Sequence, residues 1–157
     1  MATKGEVVKA ARKKWPEAQL RENKAAASPE QKEEARQRRF EVREQLERDR
    51  DAMGRIVQQH GHPDVRLREA ARSCVATDGE EPGWSGLVEA LEAAERYHHL
   101  AQEQRDLEAE VRRLDGVLAS SRFQVGTVRN IPGLPPVFSV HASGDTLDEL
   151  LEAIARR

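Results

Sequence analysis

Two stretches of this chain, 28–59 and 85–120, are dense in Arg, Lys, Glu and Gln, yet each carries apolar residues in steps of three, four and seven. That spacing puts the apolar side chains on one stripe of a helix and leaves the remaining faces to water. In the first stretch the stripe is Ala35, Val42, Leu46, Met53 and Ile56, interrupted by Arg39 and Asp49. In the second it is Ala93, Tyr97, Leu100, Leu107, Val111, Leu114 and Leu118, with Gln104 as its one polar position. A helix with a narrow apolar seam gains little stability alone and must bury the seam against a partner. The pair therefore predicts an antiparallel helical hairpin, or one half of a bundle between chains. Charged residues make up 34% of the chain and aromatics only 4%, which is thin for one compact core. A homo-oligomer that buries helix stripes between subunits suits this balance.

Punctuation fixes the ends of these helices. Ser28-Pro29-Glu30-Gln31 reads as a cap, a proline at the first helical position and a capping-box glutamine. His60-Gly61-His62-Pro63 stops the helix near Gln59, and a shorter helix is expected over 64–77 with Asp64 as its cap. Residues 77–86 are turn-rich; Trp84 within them is expected to plug onto the helices, and Ser85 to cap the second long helix. Ahead of all this, residues 4–15 suggest a short helix ended by Pro16, followed by a loop or short extended piece over 17–27.

After residue 120 the period changes to two. In 122–128, Phe123, Val125 and Thr127 oppose Arg122, Gln124 and Gly126. In 137–143, Phe138, Val140 and Ala142 oppose Val137, Ser139 and His141. The turn-rich residues 129–136 join the two strands into a hairpin. A last helix is expected from about 146 to 156, with Asp145 as cap and Leu147, Leu150, Leu151 and Ile154 as its apolar stripe. The fold class is thus mainly α with a small β part (α+β): two long antiparallel helices, a C-terminal β-hairpin and a short terminal helix. Read linearly, the chain divides into 1–27, 28–120 and a ββα unit over 121–157.

Several function classes lose support from composition and motif. The formal net charge is −2, so no global basic field favours nucleic acid. No apolar run approaches the ~20 residues needed to cross a bilayer, and the N-terminus has no secretion-signal pattern. With the single Cys74, these features predict a cytoplasmic protein with no membrane partner. Cys74 sits on an apolar helix side, which suits a buried structural thiol. His60, His62, His98 and His99 lack the paired spacing of a zinc site. Phosphate-cradling glycine loops, the nucleophile elbow and paired catalytic acids are all missing, so neither an enzyme nor a cofactor is expected. What remains is a binding or interaction protein. A pocket under the donor-rich side of the hairpin, Arg122, Gln124, Ser139 and His141 with Arg129 at the loop, would suit an anionic small molecule if another chain closed it. The backbone N–H groups at the start of the last helix would add anion affinity, offset in part by Asp145. The alternative is a plain solvated face of a two-stranded sheet.

Two resemblances follow from these segments. Gly144-Asp145-Thr146 leading into the last helix resembles the end of the HicB-type antitoxin core, a match of at most 35 residues. A broader likeness rests on Trp15-Pro16-Glu17-Ala18, Arg122-Phe123-Gln124-Val125-Gly126 and Gly144-Asp145-Thr146 in that order around two long helices. In this the chain is similar to phage anti-Thoeris signal sponges, although Leu147 stands where that family favours an aromatic residue. The resemblance implies a non-enzymatic oligomer with pockets for a cyclic ADP-ribose-type messenger. It implies ligand contacts from Arg122, Arg129 and His141 to phosphate, from Gln124 and Ser139 to ribose or base, and from Phe123 or Phe138 by stacking. Asp145 belongs to the same neighbourhood. The antitoxin-like reading implies instead a protein-interaction or inhibitor module acting through its helical surface.

Overall fold

The computed structural model describes residues 1–157. Five helices and three strands follow in the order α1 (Lys4–Lys14), β1 (Gln19–Glu22), α2 (Pro29–His60), α3 (Pro63–Ala76), α4 (Gly83–Ala119), β2 (Phe123–Arg129), β3 (Val137–Gly144) and α5 (Leu147–Ala155). The mainly α, α+β class follows directly. The compact units cut across the linear partition. One joins Met1–Arg36 to Asp115–Arg157, and the other is Gln37–Leu114.

The first unit is built on an antiparallel sheet of order β1-β2-β3. Its third strand, β1, falls in the segment expected to be loop or extended. Four residues with only Leu20 apolar give no readable alternation. Pairing with β2 makes it a strand, Leu20 opposite Val125 and Glu22 opposite Phe123. Val7 and Ala11 of α1, Leu150 and Ile154 of α5, and Phe123, Val125 and Ala142 of the sheet bury one another as a single core with Ala18. Helix α1 starts on a full capping box: Thr3 Oγ1 accepts from Glu6 N–H, and the Glu6 carboxylate accepts from Thr3 N–H. Ser28 and Gln31 form the expected box at α2, with Ser28 N–H donating to Gln31 Oε1 at 2.9 Å and Gln31 N–H to Ser28 Oγ at 3.2 Å.

The hairpin departs from simple alternation at one residue. Val125 pairs with Ala142, but the next residue, Gly126, pairs with Val140, leaving His141 as a β-bulge. One extra residue reverses the phase of everything before it in β3. Ser139 therefore joins Thr127 on the α1 side. Phe138 and Val140, which simple alternation puts on one face with Ala142, lie on the opposite face with Gln124 and Gly126, where Val140 is 47% exposed. There the Phe138 ring lies against Gly126, and the Arg21 guanidinium stacks over that ring at 3.9 Å.

The expected cap of α5 is also corrected. Thr146 is the N-cap and accepts from Glu149 N–H at 3.1 Å, while the Glu149 carboxylate accepts from Asp145 N–H. Asp145 is instead held by Lys32 through both carboxylate oxygens, at 2.8 and 2.7 Å. Lys32 is buried, so the chain needs that counter-charge there.

The second unit comprises α3 with the parts of α2 and α4 that fall within Gln37–Leu114. Val42, Ile56, Ala70, Cys74, Ala90, Ala93 and Ala94 are buried, and Cys74 is the interior thiol its flanks suggested. The two long helices run antiparallel, with Arg38 forked onto Glu110 at 2.9 and 3.2 Å. The Glu110 carboxyl is held below its usual range chiefly by that hydrogen bond. Asp49 breaks the α2 seam as a buried side chain. Gln45 donates to its Oδ1 at 2.7 Å, and its Oδ2 has no partner. Three local expectations fail here. Trp84 is 54% exposed rather than plugged in. Ser85 lies inside α4 and donates to Glu81, because the helix already begins at Gly83. The residue at the start of α3 is His62, not Asp64, whose carboxylate meets His98 Nε2 at 3.0 Å. No helix is long and apolar enough to cross a membrane.

Candidate functional site

A cleft of the sheet unit, about 600 Å³, is framed by the end of α1, the turn after it, the end of β2 and the bulge of β3. The turn after α1 is built by local chemistry. Trp15 leaves the helix in an extended conformation while its N–H still donates to Ala11 O, and Pro16 prevents continuation. Ala18 N–H donates back to Trp15 O at 2.9 Å, and Arg12 Nε donates to Ala18 O at 3.3 Å. Lys14 reaches across to α5, donating to Ile154 O at 2.7 Å, where its charge meets the partly negative C-terminal end of that helix.

These contacts fix the Trp15 indole against the bulge. Trp15 and His141 stack with ring centroids 4.8 Å apart and planes 8° from parallel. His141 Nε2 lies 3.0 Å from Thr127 Oγ1, so hydroxyl and imidazole share one proton-mediated bond. A regular strand would have left His141 on the other face; the bulge re-aims it into the cleft. Arg129, at the end of β2, is exposed and makes no ion pair or hydrogen bond. Glu17 lines the opposite rim. The cleft thus offers a stacked aromatic wall, a hydroxyl, an unengaged guanidinium and one carboxylate that can accept from hydroxyl or amino groups.

Of the residues singled out from the sequence, Arg129 and His141 meet in this cleft, and Ser139 lies half-buried opposite Thr127 on the same face of the sheet. The others lie elsewhere. Arg122 pairs with Glu22 at 3.3 Å, a residue also held by Lys4 at 2.9 Å. The Glu22 carboxyl is lowered first by the Lys4 hydrogen bond and further by Arg122, against an opposing effect of desolvation. Gln124 faces away beside Ser143 and Arg21. Asp145 is occupied by Lys32, and Phe123 is buried in the core, closed to stacking. Phe138 already carries Arg21 on its ring. Trp15, Thr127, Lys14 and Glu17 had no place in the sequence-based site, although the Trp-Pro pair at a helix end was the available signal for the first. No three His, Cys, Asp or Glu side chains cluster in a way that would hold a metal ion. The chain matches no family model, no curated protein and no solved structure.

Proposed function

We propose that this chain is a non-catalytic binding protein that sequesters a nucleotide-derived signal of the cyclic ADP-ribose type, with the Trp15–His141 cleft as its site. The observation that carries the reading is the parallel Trp15–His141 stack beside the unengaged Arg129. A planar base extends an existing aromatic stack at little ordering cost. Phosphate takes the Arg129 guanidinium. Glu17 and Thr127 suit ribose hydroxyls. The absence of a recognisable catalytic motif supports binding without turnover, and the heptad seams support a homo-oligomer.

Incubation with cyclic ADP-ribose isomers, removal of free ligand and denaturation of the protein should release the messenger unchanged in mass. Release of a hydrolysed product overturns sequestration. Arg129→Ala should weaken binding about tenfold with unchanged thermal stability, whereas Arg122→Ala should leave affinity within twofold or so. Equal losses at both positions would move the site to the hairpin's start.

A second reading, an interaction module working through its helical surface, is favoured by Trp84, Val88 and Leu91. These stand exposed at i, i+4 and i+7 on α4, the spacing of helix-in-groove anchors. A stoichiometric protein complex that Trp84→Ala dissolves, with no small molecule in it, would select this reading over the first.

A further inference from the structure

The helical unit has a cleft of its own. Between α2 and α4 a space of about 560 Å³ opens over an apolar floor of Ala52, Ile56 and Leu100. Ala52, beside the seam residue Ile56 on α2, has a short side chain that adds little bulk between the helices at this level. The size falls within the range of small-molecule pockets. Its rim is charged with a bias. Arg55, Arg96 and His99 border it, against the single acid Glu95. None of the three bases is engaged in an ion pair or hydrogen bond, in contrast to Arg38, which is forked onto Glu110 further along the same pair of helices.

We propose that this cleft is a second binding site, for an amphipathic anion whose hydrocarbon body lies on Ala52, Ile56 and Leu100 and whose carboxylate is held by Arg55 and Arg96. Neither part of the cleft explains the other's ligand alone. A fully apolar guest leaves two guanidiniums unused, and a bare inorganic anion leaves the floor in water. A carboxylate at the end of an alkyl chain answers both, since guanidinium binds carboxylate through two parallel hydrogen bonds and each buried methylene adds about 0.8 kcal/mol. Glu95 sets the polarity of the site. It repels a second negative charge and so favours a monoanion over a dianion. The proposal is independent of the Trp15–His141 cleft and of the nucleotide reading.

The isoleucines of the chain are Ile56, Ile131 and Ile154, which makes the site directly observable. In methyl NMR of the intact protein, decanoate added below its micelle-forming concentration should shift the Ile56 resonance and leave Ile131 and Ile154 in place. Decanoate should bind at least about tenfold more tightly than decanol, and Arg55→Gln with Arg96→Gln should abolish that preference. Both arginines are on the helix surface, and circular dichroism of the variant should match the parent. Equal affinity for decanoate and decanol overturns the proposal, as does retention of the preference in the double variant. Movement of Ile131 or Ile154 instead of Ile56 places the guest elsewhere. Dissociation of an oligomer by decanoate, seen by light scattering, would show that a second copy of the chain covers this cleft, and would equally overturn it.

Discussion

Single residues decide more in this chain than its repetitive composition suggests. His141 is a stack partner of Trp15 only because it is the extra residue of a bulge. Asp49 is the sharper case energetically. It sits buried in the α2 seam with one carboxylate oxygen bonded to Gln45 and the other unsatisfied. A buried polar atom without a partner carries its desolvation cost uncompensated. Asp49→Leu should therefore raise the stability of the helical unit by about 1–3 kcal/mol in urea unfolding. A loss of stability would mean that the carboxylate has a role other than filling the seam. Asp49 was legible from the sequence as an interruption of the stripe, since a lone acid among apolar seam positions stands out by spacing alone. The bulge at His141 was not legible. An inserted residue leaves no compositional mark, and both phases of the strand place some apolar residues on each face.

At the scale of elements, long helices were readable and a short strand was not. A seam recurring over about six turns accumulates signal with every turn, and Ser28 and Gln31 mark the start of its helix independently. Strand β1 has four residues and one apolar side chain, so its identity comes from β2, about a hundred residues away. The helix caps show the same division. Thr146 and Asp145 are adjacent and both are good caps by type; the buried Lys32 settles the choice by claiming Asp145. The β2–β3 pair also depends on a position with no side chain. A Cβ on Gly126 would meet the Ser139 carbonyl and the edge of the Phe138 ring. Gly126→Ala should cost about 1–3 kcal/mol and speed amide exchange in β2 and β3, leaving α3 unaffected. Unchanged exchange in the hairpin would show that Phe138 and the strand give way freely.

The whole molecule carries one depressed carboxyl in each unit. Glu22 is lowered by Lys4 and Arg122 in the sheet unit, and Glu110 by Arg38 in the helical unit. A folded-state value below the unfolded one gives stabilisation that is full above the unfolded value and is lost as pH falls through the folded value. Both units should thus weaken on acidification through and below the ordinary glutamate range. Glu22→Gln should flatten the pH dependence of amide exchange in the sheet unit alone, and Glu110→Gln that of the helical unit alone. Both pairs are solvent-accessible, so added salt should shrink the effect. A response of the wrong unit, or stability rising as pH falls, would contradict the assignment of these pairs.

The division into Met1–Arg36 with Asp115–Arg157, and Gln37–Leu114, also sets an order of events on the ribosome. Strand β1 emerges early but cannot pair until β2 has been made, roughly a hundred residues later. Every residue of the helical unit is available before then, and its antiparallel helices bring Arg38 and Glu110 together. A folded excursion with neighbouring ends replaces an open loop, so β1 meets β2 with much of the closure entropy already spent. The cleft beside Trp15, which needs α1, β2 and the bulge of β3 together, is then among the last features of the protein to form.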